Sequence, residues 1–257
     1  YGKIGQSPKE FIVPPLCEMK EPEKIGIYSN SMNKLDVLHF NSDSLLYVKT
    51  LHFPLWNKQR GIPKAYTRLI QYNDSLFIGT SFMPKEISVE LMNLKTEKVV
   101  NSVNFPLKPK EGEYSRPYEC KIATEMNFIV AAYRYINRLE IYKLSDQKFQ
   151  LNTIIGDANN QYDLYRLNKD NEMILHYSDI VCGKNQIYAL YRGVKEKELS
   201  SANSKIEVYS YDGTHLRTFD LGRSIEKILV DESSMRIYAF DRNEEKDIVF
   251  CYAIESN

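Results

Sequence analysis

Three features of the sequence predict an all-β chain assembled from repeated four-stranded units. Apolar residues alternate with polar ones, or run in blocks of five to eight, along all 257 residues, while windows apolar at i, i+3, i+4 and i+7 are nearly absent. Aromatic residues form 12% of the chain, including 19 Tyr, and such side chains suit a pleated, half-buried surface. The blocks IGIY, LFIG, FIVA, IYAL and IYAF, which start at Ile25, Leu76, Phe128, Ile187 and Ile237, recur at intervals of 51, 52, 59 and 50 residues.

A period near 50 residues with four strands per unit indicates a β-propeller. Each unit is apolar on both faces and so needs a neighbour on each side. A ring of blades supplies both neighbours and protects strand edges that would otherwise pair with other chains. We therefore expect one domain over residues 1–257, in preference to an irregular β-sandwich.

The opening, Tyr1–Gly5, reads as a short strand ending at a glycine, followed by a Pro-rich segment. The first set of strands is Lys24–Ser29, Lys34–Phe40 and Leu45–Phe53, separated by Asn, Ser and Asp. The second is Tyr66–Tyr72, Ser75–Ser81, Ile87–Asn93 and Lys98–Phe105, and Pro106–Pro117 then reads as a polar loop. The third is Tyr118–Ala123, Asn127–Tyr133, Arg138–Leu144 and Lys148–Ile155, and the irregular stretch Asp157–Glu172 follows it. The fourth is Ile174–Val181, Gln186–Tyr191, Lys205–Tyr211 and His215–Leu221, with a charged loop between its second and third strands. The fifth, Ile225–Val230, Met235–Phe240 and Ile248–Ile254, lacks a fourth strand. Tyr1–Gly5 shares the strand-then-Gly pattern of Ile154–Gly156 and Asp220–Gly222, so the N-terminal strand is expected to complete the fifth unit and close the ring. The turn residues support the hairpins: Ser-Asp, Lys-Thr-Glu, Ser-Asp and Asp-Gly separate the last two strands of the first four sets.

Composition narrows the function. With 34 basic and 34 acidic residues the formal net charge is zero, which argues against nucleic acid, whose phosphates call for a basic excess. No apolar run is long enough to span a bilayer. The chain opens on Tyr1 and not Met, which we read as a mature or trimmed start with a targeting segment before it. Cys17, Cys120, Cys182 and Cys251 form no C-x-x-C pair, which disfavours a zinc or redox motif; we read them as small buried hydrophobes in preference to disulfides.

No G-x-S-x-G, H-E-x-x-H, Walker or dinucleotide-binding glycine pattern occurs. His39 and His215 fall on outer strands, where a surface role is expected. His176 falls on an inner strand with Asp179 three residues on, so the two point to opposite faces unless the strand is bulged. Arg116, Tyr118 and Glu119 stand at the start of an inner strand, with Tyr66 and Arg68 in the equivalent place one unit earlier. Arg and Tyr at a channel mouth suit a carboxylate, phosphate or sugar, through bidentate hydrogen bonds and stacking. The candidate ligand-binding set is therefore Arg68, Arg116, Tyr118, Glu119, His176 and Asp179, with no catalytic or metal residue assigned. Trp56 falls on a loop between sets, where packing against a neighbouring blade is expected.

The repeat, with GKIGQSPKEF near the start and DGTHLRTFDLG and IYAF near the end, resembles the TolB-like six-bladed propeller proteins of Bacteroidetes. Gly5, Gln6, Pro8, Glu10 and Phe11 are similar to that group's Gly-x-Gly-Pro-Gly-Glu-Phe segment, and Ser7 and Lys9 depart from it where glycines are usual. The resemblance covers essentially the whole chain and implies six blades against the five counted. It also implies a periplasmic, secreted or lipid-anchored surface protein. The expected function is a non-enzymatic, monomeric binding or scaffolding module without a cofactor, for a protein, peptide or glycan. The alternative is a lactonase- or esterase-like hydrolase with Ca²⁺ in its channel, for which Glu18, Glu119, Asp163 and Asp179 are the candidate carboxylates.

Overall fold

Alternating segments bounded by Asn, Asp, Ser and Gly form strands throughout the computed structural model. It describes residues 3–4, 10–11, 16–29, 32–53, 56–57, 62–63, 66–81, 88–104, 120–156, 173–242 and 247–254. Among them there is no α-helix, and the chain divides into two compact units, Tyr1–Phe105 and Pro106–Asn257.

In the first unit the strands are β1 (Lys3–Ile4), β2 (Glu10–Phe11), β3 (Leu16–Glu18), β4 (Lys24–Ser29), β5 (Lys34–Asn41) and β6 (Ser44–His52). They continue as β7 (Trp56–Asn57), β8 (Ile62–Pro63), β9 (Tyr66–Gln71), β10 (Leu76–Ser81), β11 (Ser88–Asn93) and β12 (Lys98–Asn104). Two four-stranded antiparallel sheets, β3–β6 and β9–β12, join edge to edge through their innermost strands. Those strands, β3 and β9, run parallel, with Cys17 opposite Leu69 and Glu18 opposite Ile70. The first set is thus complete. Its inner strand was not anticipated, because Leu16–Glu18 has three residues and lies between prolines, too short for a period to register.

The second unit holds β13 (Cys120–Glu125), β14 (Phe128–Tyr133), β15 (Arg138–Ser145) and β16 (Lys148–Gly156) as one sheet. A second sheet is β17 (Ile174–Cys182), β18 (Gln186–Lys195), β19 (Lys205–Ser210) and β20 (His215–Asp220), with a single 3₁₀ turn at Glu196–Glu198. The last is three-stranded: β21 (Lys227–Asp231), β22 (Arg236–Arg242) and β23 (Asp247–Ala253). In the expected closing segment, Lys3–Ile4 pairs in parallel with Glu10–Phe11, and the rest of Tyr1–Gly5 lies outside the described residues.

The turns have local causes. The Asn73 carboxamide accepts from the N–H groups of Ser75 and Leu76, at 3.0 and 2.9 Å, and Asn93 does the same for Lys95 at 2.9 Å. Asp146 and Gln147 both take left-handed backbone (φ 50° and 58°), the geometry that matches a two-residue turn to the twist of its hairpin. The Asp212-Gly213 turn reaches φ +92° at the glycine, with Asp212 accepting from Thr214 N at 2.9 Å.

The repeat register rests on one column of small residues. Gly26, Gly79, Ala131, Ala189 and Ala239 occupy the same place on the second strand of each unit, opposite Cys17, Leu69, Ile122, Ile180 and Ile228 on the first. The recurring blocks therefore align on this residue and not on their first letters, an offset of up to two positions. A Cβ on Gly79 would lie 2.8 Å from Tyr66 Cδ1 and 2.9 Å from Leu69 Cδ2, inside the aromatic and aliphatic cluster that joins the two sheets. There Phe53 meets Tyr28 and Phe77 edge to face, at 5.6 and 5.4 Å between ring centroids. Gly79→Ala is expected to destabilise the protein by about 1–3 kcal/mol through overpacking, read as a lower urea midpoint at unchanged slope. An unchanged midpoint would show that the cluster yields freely at that point.

In the second unit one cluster joins its first two sheets (Val130, Leu139, Ile141, Ile180 and Ile187 among others), and another joins the last two (Leu190, Ile206, Val208, Ile228 and Ile237).

Candidate ligand-binding end of the sheets

Three sheets each carry a glutamate on the third strand facing the small residue of the second: Glu90 opposite Gly79, Glu140 opposite Ala131 and Glu207 opposite Ala189. Period-2 reading places such glutamates in solvent, yet Glu90 and Glu140 are buried. Tyrosine hydroxyls hold them. Tyr66 donates to Glu90 at 2.8 Å, Tyr133 and Tyr142 to Glu140 at 2.5 Å each, and Tyr177 and Tyr209 to Glu207 at 3.2 and 2.8 Å. Arg138 adds a two-pronged ion pair to Glu140 through Nε and Nη2, at 2.8 and 2.6 Å. Burial, and then the adjoining carboxylate, drives the hydroxyl pKa values of Tyr66, Tyr133 and Tyr177 far above the ordinary value. These groups are structural clamps. Part of the signal was present in sequence: Glu140-Ile-Tyr142 and Glu207-Val-Tyr209 place acid and phenol on one face of a strand.

Of the candidate ligand residues, Arg116, Tyr118 and Glu119 lie outside the described residues, as does Asp163. Arg68 sits on β9 with Nη2 3.9 Å from Glu18 Oε2, a partly exposed contact at the outer limit of an ion pair. Its expected companion Tyr66 is buried on Glu90. His176 and Asp179 lie on β17, whose pairing with β18 shifts register on both sides of Tyr177. The Asp179 carboxylate is buried and accepts from Ile228 N on β21 at 3.1 Å, tying two neighbouring sheets. Among the described residues no three His, Cys, Asp or Glu side chains gather as a metal site. None of the four cysteines is in a disulfide: Cys17 and Cys120 are buried as expected, Cys182 is half-buried and Cys251 is exposed.

His176 belongs to a polar group assembled at one end of the second unit. Its backbone N–H donates to Arg134 O in the β14–β15 turn at 2.6 Å, and its ring lies 5.9 Å from that of Tyr191. The Arg134 guanidinium lies 5.5 Å from the ring centre of Tyr135, whose hydroxyl donates to Glu196 Oε1 just past β18. Glu196 N in turn donates to Met173 O, just before β17, at 3.0 Å. The buried Arg192 gives Nη1 to Ile225 O at 2.5 Å and Nη2 to Leu199 O and Ser224 Oγ at 2.5 and 2.8 Å. Burial lowers the Arg192 pKa, which Glu226 and Asp241 partly offset. Thus the β14–β15 turn, the start of β17 and the β18–β19 connection bring together cation, acid and aromatic ring. Sequence reading found only His176 of this group, because its members are far apart in the chain and follow no spacing rule.

The family model described as "TolB-like 6-blade propeller-like" matches residues 2–233. No curated protein matches the chain. Among solved structures, the chain is similar to a Bacteroides vulgatus protein of the duf4221 family, with TM-score 0.52 and 11% identity over 91% of this chain and 76% of that one. A putative exported protein from Bacteroides fragilis gives TM-score 0.51 and 12% identity over 93% of this chain and 69% of that one. Kuenenia stuttgartiensis hydrazine synthase gives TM-score 0.53 and 7% identity over 93% of this chain. The chain spans 59% of that hydrazine synthase chain, and 50% and 59% of the Toxoplasma gondii coronin and Moraxella catarrhalis BamB chains it also matches. At these identities the likeness is one of fold.

Proposed function

The chain belongs to the TolB-like 6-blade propeller-like family, and from that premise we propose that it is a non-enzymatic binding or scaffolding propeller. It acts outside the cytoplasm, as a monomer, and holds a protein, peptide or glycan at the sheet end where β17 begins. One observation carries the reading. The sheet carboxylates Glu90 and Glu140 are enclosed in tyrosine clamps, whereas Arg134, His176 and Glu196 are half-buried and stand on the connections and strand ends at one end of the second unit. A repeat scaffold keeps its sheets constant and places function in the connections between them. The zero net charge supports a partner other than nucleic acid. The extracytoplasmic half of the proposal, and a Bacteroidetes source, draw on the family and on the exported Bacteroides relative.

The test is an immobilised chain probed with peptide and glycan arrays, alongside a panel of lactone and ester substrates. The expected result is a retained ligand whose affinity falls about tenfold or more in Arg134→Ala or His176→Ala, at unchanged circular dichroism, and stays constant in the outer-strand variant Lys148→Ala. Silence on both arrays, or equal loss in Lys148→Ala, would remove the proposed site. Calcium-dependent turnover of a lactone or ester would overturn the non-enzymatic reading.

A further inference from the structure

We propose that the last sheet, β21–β23, pairs face to face with the same sheet of a second copy of this chain, about a two-fold axis. The inference goes beyond the reading above and shares no residue with the ligand site there.

Strand register defines the face. Leu229 pairs with Tyr238, and Tyr238 with Cys251, so the three form one row across the sheet. Lys227, Phe240 and Val249 form the row on one side of it, and Asp231, Arg236 and Ala253 the row on the other. The opposite face carries Ile228, Ile237, Ala239 and Ile254, all buried in the cluster shared with β17–β20. Sheet β17–β20 is packed on both sides, by that cluster and by the one it shares with β13–β16. Among the described residues, β21–β23 is packed on one side. Leu229, Phe240 and Val249 are 51%, 38% and 53% exposed, and Cys251 is exposed as well. An antiparallel sheet with one wet face ordinarily turns polar residues to water, yet the middle of this face is apolar.

What identifies the occupant is that the face complements itself. A two-fold axis lying along the middle row sets Leu229, Tyr238 and Cys251 each over its own copy. The same rotation sets Lys227 over the partner's Asp231, Phe240 over the partner's Arg236 and Val249 over the partner's Ala253. Each contact occurs twice, so the pair gains two lysine–aspartate pairs and two guanidinium–ring contacts around an apolar centre. Asp231 is half-buried and accepts from the Ser233 and Ser234 hydroxyls at 2.5 and 2.6 Å, which fixes its carboxylate at the edge of the face. Sheets stacked about 10 Å apart bring such side chains into contact. Three strands about 4.8 Å apart and about 17 Å long present roughly 250 Å². A standard interface buries about 800 Å² per partner. Single chains therefore prevail when dilute, as in the reading above, and pairs form as the concentration rises towards about 0.1 mM.

The experiment is sedimentation equilibrium of the full chain from about 1 µM to about 1 mM. The average mass is expected to rise from that of one chain towards that of two. A short bismaleimide should join two chains through Cys251, and Cys251→Ser should abolish the link while leaving the rise in mass. Leu229→Glu sets two carboxylates against each other at the axis and should weaken pairing about tenfold or more. Lys227→Glu sets an acid against Asp231 and should weaken it about threefold or more. Both positions are exposed, so circular dichroism should stay unchanged. The mass of one chain at every concentration would overturn the inference, as would masses above two chains, since a two-fold contact closes on itself. Self-association that survives both Leu229→Glu and Lys227→Glu would overturn it too. So would a Cys251 closed to a simple maleimide in the single chain, which would mean that the chain's own residues cover the face.

Discussion

Glu140→Ala is expected to destabilise the second unit by about 3–5 kcal/mol, the cost of leaving one partner of a buried ion pair uncompensated. Arg138 and Glu140 side chains are 7% and 4% exposed, so neither water nor another rotamer can replace the lost carboxylate. Tyr133 and Tyr142 lose their acceptor in the same step. On a unit of this size the loss corresponds to roughly 6–20 °C in Tm, read by calorimetry. Glu140→Gln keeps one acceptor but not the charge and should fall between. The paired variant Arg138→Met with Glu140→Leu removes both charges and should recover most of the loss. Exposed Glu97→Ala should stay within about 0.5 kcal/mol. A Glu140→Ala variant as stable as the parent would show that the clamp adds nothing to the fold.

Raising the pH above 10 is expected to unfold the protein cooperatively, with its clamped tyrosines ionising only as it opens. Their unfolded pKa is the ordinary value, 10.0, while Tyr66, Tyr133, Tyr142, Tyr177 and Tyr209 are pushed well above it in the fold and Tyr188 is pushed up to about 12. Burial is the first cause at each, and the neighbouring carboxylate the next. The sign follows from linkage: a group whose folded pKa is raised contributes stability that is fully present below pH 10 and is lost as pH rises through the folded value. Several such groups acting together make the loss steep. Phenolate absorbance at 295 nm and far-ultraviolet circular dichroism, followed from pH 9 to 13, should show exposed tyrosines titrating first and the remainder rising with loss of strand signal. Full tyrosine titration near pH 10 with native dichroism retained would contradict the burial of the clamps.

Much of the architecture was legible because β structure writes itself locally. Blocks such as NFIVAAY and KIEVYSY became β14 and β19 within a residue or two, and Asp-Gly at 212–213 became the turn between β19 and β20. The inner strand β3 was missed because three residues between prolines carry no period. The recurring blocks were aligned on their first residues, whereas strand pairing aligns them on Gly26, Gly79, Ala131, Ala189 and Ala239. For the site, His176 was legible as a candidate, but its bulged strand and its neighbours Arg134, Tyr191 and Glu196 were not.

The sequence by itself determined the longer strands, where the chain turns between them, and that units repeat near every 50 residues, since these follow from side-chain alternation and from turn residues with their own backbone preferences. Only the tertiary structure decided which glutamates go inside. When both faces of a sheet are covered, alternation no longer separates buried from exposed, and the partner that makes burial tolerable, as Tyr66 does for Glu90, stands 24 residues away on another strand. It also decided which connections meet. Arg134 and His176 are brought together by the pairing of whole strands, a long-range outcome that no local pattern in the chain contains.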